Sequence, residues 1–161
     1  MEIYLSIGSN LGDRRRHILT AVEKLSDFFR TSPAALSEMH ESEAWGFDGP
    51  KFLDAVVRYD IPEAGQDPLL HSHALLRQCK RIEKEAGRKE EPLFDAEGRR
   101  IYHDRPVDVD ILFYGKQTIK TEILTIPHPM IPERDFILKP LSEVVSEEIR
   151  VAFSDFFRGN D

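Results

Sequence analysis

The sequence predicts an α+β fold: a ferredoxin-like β-α-β-β-α-β sandwich, two helices over one face of an antiparallel sheet, with a C-terminal hairpin and helical extension. Three observations carry the prediction. Strand-like runs open the chain and recur at 52–61 and 105–113. Between them lie two segments with apolar residues at helical spacing, each introduced by an aspartate. The pattern fills the chain once, with no internal repeat, low-complexity block or interdomain linker, so residues 1–161 read as a single domain.

Residues 2–8 alternate in polarity and stop at Gly8-Ser9-Asn10, as a first strand would. Asp13 can cap a helix running to about Arg30, in which Ile18, Val22, Leu25 and Phe29 recur at helical spacing. Residues 35–44 form a weaker strand candidate, broken by Gly46 and Gly49-Pro50. Residues 52–61 are a clear strand, with Val56 and Val57 β-branched. Asp67-Pro68 supplies a cap and a first-turn proline to a second helix, carrying Leu69, Leu76, Cys79, Ile82 and Ala86 and ended by Gly87. Residues 88–104 are charged, irregular and too long for an ordinary connection, which marks a functional or disordered loop. The strand around Asp108 closes the sheet. A short hairpin at Gly115, the loop Pro127-His128-Pro129 and a helix over about 132–145 follow.

Composition narrows the function classes. The chain has 161 residues, 40% hydrophobic and 32% charged, enough for one domain with a real core. No run approaches the roughly 18 apolar residues of a membrane span, and the N-terminus shows no signal-peptide pattern. Cys79 is the single cysteine, which fits a reducing cytoplasm, and a monomer is expected. The net charge of −7 argues against broad nucleic-acid binding, though a local arginine cluster could still hold a nucleotide.

The segment Arg105-Pro106-Val107-Asp108-Val109-Asp110-Ile111-Leu112-Phe113 carries the chemistry. On a strand, Asp108 and Asp110 share one face, their Cα atoms about 6–7 Å apart, while Val107, Val109 and Ile111 face a core. Paired carboxylates without a Cys or His cluster favour Mg²⁺ over zinc, and Mg²⁺ with few protein ligands usually takes phosphate oxygens as the rest. The same alternation also describes a solvated outer face. Upstream, Arg88, Lys89, Arg99, Arg100 and Arg105 could fold down on phosphate charge, or simply keep the loop in water. His128 is held between prolines, and Arg134 lies near a helix start with Glu133 and Asp135 as ordinary ion-pair partners. The turn Gly8-Ser9-Asn10-Leu11-Gly12-Asp13 lacks the Gly-Lys-Ser/Thr of a P-loop. Phe52 and Phe136 fit a core, whereas Trp45 beside Gly46 could cover a flat ligand. Phosphoryl or nucleotidyl chemistry is the first reading. A metal-dependent nucleotidyltransferase would want a third acidic ligand, and an RNA-binding sheet would want exposed aromatics and a basic face.

Taken together, Ile7-Gly8-Ser9-Asn10-Leu11-Gly12, Gly46 with Phe52-Leu53-Asp54-Ala55, Arg81-Ile82-Glu83 with Gly87-Arg88, the Asp108 strand, and Ile126-Pro127-His128-Pro129 with Arg134 and Phe136 resemble the 6-hydroxymethyl-7,8-dihydropterin pyrophosphokinases. The likeness runs from Tyr4 to about Val145. It implies transfer of pyrophosphate from ATP to the pterin hydroxymethyl group in folate biosynthesis, with AMP released. It implies two Mg²⁺ ions on Asp108 and Asp110, and catalytic arginines Arg88 and Arg105 from a closing loop. It implies ATP contacts at Glu83, Arg105, Ile111, Thr125, His128 and Arg134. Ser42, Trp45, Phe52, Asp54 and Phe136 would hold the pterin. Asp54 stands where the family usually has Asn, exchanging a donor-acceptor for a group that, when ionised, only accepts.

Overall fold

A computed structural model describes residues 1–44, 49–63, 65, 67–87, 93–94, 96–98, 100–101 and 106–158. Its main sheet is built from β1 (Glu2–Ser9), β2 (Ala35–Leu36), β3 (His40–Ser42), β4 (Phe52–Asp60) and β7 (Asp108–Tyr114). The order is β2-β4-β1-β7, with β3 also on β4, and all pairings are antiparallel. Two helices, α1 (Arg14–Phe29) and α2 (Pro68–Glu85), connect the strands in the ferredoxin-like manner. Both begin where the sequence places a cap: Asp13 accepts from the Arg16 amide, and Asp67 from the Leu69 and Leu70 amides. At its C-terminus α1 ends on Arg30 in the left-handed region, φ 57°, donating its amide to Ser26.

The sheet is covered on both faces. Ile3, Leu5, Ile7, Val57, Val109 and Ile111 meet Ile18, Leu25, Leu75 and Ile82 of the two helices. On the opposite face Tyr4, Val56, Leu112 and Phe113 meet Ile137, Leu141, Val144 and Ile149. That second layer comes from α3 (Asp135–Val144) and α4 (Glu147–Ala152), with a 3₁₀ turn at Ser154–Phe157. Adjacent Leu112 and Phe113 both reach it because the β1–β7 register shifts between Tyr4 and Leu5, leaving one extra residue on β7.

Three expectations change in detail. The strand candidate over 35–44 is two short strands, β2 and β3, which pair separately with different parts of β4. The helix expected over 132–145 is a 3₁₀ turn, Ile131–Glu133, followed by α3, because the Arg134 backbone is extended, φ −120° and ψ 99°. The hairpin after β7 is a turn at Gly115 leading to the small pair β8 (Ile119–Lys120) and β9 (Thr125–Ile126). Within 88–104 a short antiparallel pair forms, β5 (Leu93–Phe94) and β6 (Arg100–Ile101), around Gly98 at φ +80°.

Candidate active site

The site is set by register. Gly8 of β1 pairs with Asp54 of β4 on one side and Asp108 of β7 on the other. One step along, Ser6 pairs with Val56 and Asp110. Period-two alternation puts Asp54, Asp108 and Asp110 on one face, the face that α1 and α2 leave uncovered. A Cβ on Gly8 would lie 3.0 Å from Asp54 Oδ1 and 3.5 Å from Phe52 Cδ1. Glycine therefore makes the floor over which the two outer strands present their carboxyls. The sequence shows this residue only as the start of a turn.

The strand bearing the paired aspartates is at the end of the sheet, so part of its backbone faces away from β1. Glu83 of α2 meets that need: its Oε2 accepts from the Val109 amide at 2.9 Å. Glu83 is only 9% exposed. The bond fixes the backbone midway between Asp108 and Asp110, both of which stay partly exposed. Val107, Val109 and Ile111 fill the core beneath, as expected. The Ile111 side chain is therefore directed away from the carboxylate face, and only its backbone can meet a ligand there.

His128 closes one flank. Its amide donates to the Leu112 carbonyl at 3.0 Å, seating the loop on β7. Its Nδ1 accepts from the Met130 amide at 3.2 Å, which in the neutral ring leaves the proton on Nε2. Nε2 lies 4.0 Å from Asp110 Oδ1. Burial, then the neighbouring Arg134 charge, lower the His128 pKa, with Asp108 opposing. The Arg134 guanidinium lies 5.6 Å from the Phe136 ring centre. Thr125 on β9 is exposed.

The other flank centres on Asp54, which is 7% exposed. Ser42 Oγ donates to Asp54 Oδ2 at 2.5 Å across the β3–β4 pair. Burial is the main force on this carboxyl and pushes its pKa up to about 7; the Ser42 bond opposes, Asp108 reinforces, and His40 and Arg14 pull it down. Phe52 and Phe136, on β4 and α3, are both half-buried, and α3 packs on β4. The Gly8–Asp13 turn and the first residue of α1 tie down the chain that enters β4. Asn10 Nδ2 donates to the Pro50 carbonyl at 3.1 Å, and Arg14 donates to the Lys51 carbonyl at 2.9 Å. Both hold the chain entering β4.

Arg88, Arg105 and Trp45 lie outside the described residues, as do Lys89 and Arg99. Among the described residues no group of three or more His, Cys, Asp or Glu side chains could hold a metal. No helix there is long and apolar enough to cross a membrane.

Residues 4–146 match the family model for 7,8-dihydro-6-hydroxymethylpterin-pyrophosphokinase. The chain is 39% identical to a 2-amino-4-hydroxy-6-hydroxymethyldihydropteridine pyrophosphokinase of Aquifex aeolicus over 143 residues, 88% of this chain and 79% of that one. A Porphyromonas gingivalis protein of the same name is 38% identical over 144 residues, 88% of this chain and 89% of its own. A mitochondrial folate synthesis bifunctional protein of Pisum sativum is 38% identical over 150 residues, 92% of this chain but 26% of that protein. The chain belongs to the 7,8-dihydro-6-hydroxymethylpterin-pyrophosphokinase family, enzymes that transfer pyrophosphate to hydroxymethyldihydropterin in folate synthesis.

Proposed function

We propose that this chain transfers the β,γ-pyrophosphoryl group of ATP to the hydroxymethyl oxygen of 6-hydroxymethyl-7,8-dihydropterin, releasing AMP and the pterin diphosphate. The carrying observation is the row Asp54–Gly8–Asp108, which sets a buried carboxyl and a half-exposed carboxylate pair on either side of one glycine. Such a face can bind a polar heterocycle at one end and phosphate charge at the other.

Asp108 and Asp110 are the proposed Mg²⁺ ligands, two ions with the nucleotide. The donor set fits: hard oxygens, partly exposed, with room left for phosphate oxygens. The metal would neutralise triphosphate charge. Protein residues do the rest by positioning. Glu83 holds the Asp108–Asp110 backbone in register. Glu83, the Ile111 backbone, Thr125, His128 and Arg134 are proposed to frame the ATP, with the His128 Nε2–H available as a neutral donor. Arg88 and Arg105 are proposed to add positive charge at the phosphates. Ser42, Trp45, Phe52, Asp54 and Phe136 are proposed to hold the pterin. Two aromatics suit its flat ring, and Asp54, oriented by Ser42, suits its amino and ring N–H edge.

The nucleotidyltransferase alternative needs a third acid with the pair. Asp54 is on the same face, but it is buried, bonded to Ser42 and set across Gly8. A monomeric, single-domain, cytoplasmic enzyme is the accompanying proposal. The test is incubation with ATP, Mg²⁺ and the hydroxymethyl dihydropterin. AMP and pterin diphosphate are expected; ADP, or a pterin-independent product, would refute the assignment.

A further inference from the structure

We infer that binding of the pterin drives a proton from Asp54 into solvent, so that pterin affinity rises with pH. The inference rests on the reading of Asp54 as a pterin contact and goes beyond it to the group's charge in each state.

The geometry around Asp54 disfavours its ionised form. The carboxyl is buried, and its hydrogen-bond partner among the described residues is a neutral hydroxyl, Ser42 Oγ at 2.5 Å. The Gly8 floor offers no side chain. Across it stands Asp108, of like charge. Among the described residues two cationic groups act on Asp54, and each is engaged elsewhere. Arg14 of α1 pairs with Glu41 at 2.9 Å, and His40 of β3 pairs with Glu143 of α3 at 2.5 Å. A buried carboxylate without a committed counter-charge takes up a proton instead. That balance pushes the Asp54 pKa up to about 7.

The ligand reverses the balance. A pterin carries an exocyclic amino group and a ring N–H side by side, two donors aimed one way. A carboxylic acid presents its own O–H against them; a carboxylate accepts both. Charge-assisted bonds are roughly twice as strong as neutral ones. The bound state therefore favours the anion, and the step balances as Asp54 carboxylic acid plus pterin giving carboxylate-bound pterin plus one H⁺ to buffer.

The sign follows from linkage. The free protein must give up the proton below its pKa, so binding weakens as pH falls. With the free carboxyl held up by burial and the complex ionised, affinity should tighten several-fold between pH 6 and pH 8.

The experiment is calorimetric titration of the pterin into full-length protein holding Mg²⁺ and α,β-methylene-ATP, whose scissile linkage is blocked. Two buffers of different ionisation heat are used at each pH. Proton release should be largest at the acid end of the series and fade as pH rises past the Asp54 pKa. In Asp54→Asn the affinity that remains should be flat with pH, and any proton belonging to the pterin itself will persist there and can be subtracted. Heats independent of buffer in the wild type, or release unchanged in Asp54→Asn, would overturn the inference while leaving the functional reading intact. Failure of the pterin to bind at any pH would overturn that reading and the inference with it.

Discussion

Glu83→Leu tests whether the carboxylate pair depends on a strut from the helix behind it. The substitution removes the acceptor of the Val109 amide, a 2.9 Å bond to a carboxylate oxygen. Bonds of this kind contribute about 1.5–3 kcal/mol, and the amide left behind loses its partner at a buried edge. Leucine fills much of the space, so little cavity cost is added; the expected loss is about 2–3 kcal/mol. For a chain of this size, roughly 2–4 °C per kcal/mol puts the drop in melting temperature at about 4–12 °C. Turnover should fall further than stability explains. The freed amide lets the backbone between Asp108 and Asp110 shift, and a misplacement of about 1 Å can cost on the order of a hundredfold. Thermal melts and steady-state rates across a Mg²⁺ series, at a temperature where both proteins are folded, give the two numbers. Glu83→Gln keeps an oxygen acceptor and should recover most of both. A Glu83→Leu enzyme with unchanged melting and an unchanged Mg²⁺ series would refute the strut.

Asp108→Asn and Asp110→Asn should each cut turnover by orders of magnitude with near-normal melting, since both side chains are partly exposed; near-wild-type rates at limiting Mg²⁺ would remove the metal assignment. Gly8→Ala places a methyl 3.0 Å from Asp54 Oδ1, so pterin binding should weaken several-fold more than ATP binding, as read by separate titrations. His71 bonds the buried Tyr114 hydroxyl and stacks on Phe28, and burial lowers its pKa. The unfolded chain therefore takes up the proton at higher pH than the folded chain, and stability falls as pH drops through about 6.5. In denaturant melts from pH 8 to 5 the wild type should lose more stability than His71→Gln; parallel curves would exclude this residue from the acid response.

Local signals in the sequence locate the two helices packed under the sheet and its three long strands. Asp13 and Asp67 cap the helices they precede, and alternation assigns Val107, Val109 and Ile111 to the core. What the sequence does not carry is register. That Gly8 lies between Asp54 and Asp108 depends on two strand pairings spanning 46 and 100 residues of chain. No local pattern encodes that. The His40–Glu143 pair, 103 residues apart, and the Glu83–Val109 bond are invisible for the same reason. The second core has a local signature at its C-terminal end. Ser146-Glu147-Glu148-Ile149 is a cap with an acidic first turn, and Ser146 Oγ does accept from the Ile149 amide at 3.3 Å. The cap follows within two residues of the end of α3, so the two helices run together in the sequence pattern.

The aromatic layer on the far face of the sheet has a consequence for where the folding unit stops. The family match closes at residue 146. Yet Phe153 and Phe157 stack on Phe113 at 5.3 and 5.9 Å, and Arg150 lies 5.2 Å from the Phe157 ring centre. Phe113 is three residues from Asp110 on the same strand. A chain trimmed to the matched span would keep every proposed ligand contact and still lay bare one side of the strand that carries the aspartates. Similarity to relatives marks the extent of shared chemistry; the last packed turn marks the extent of the cooperative unit, and here the second reaches past the first.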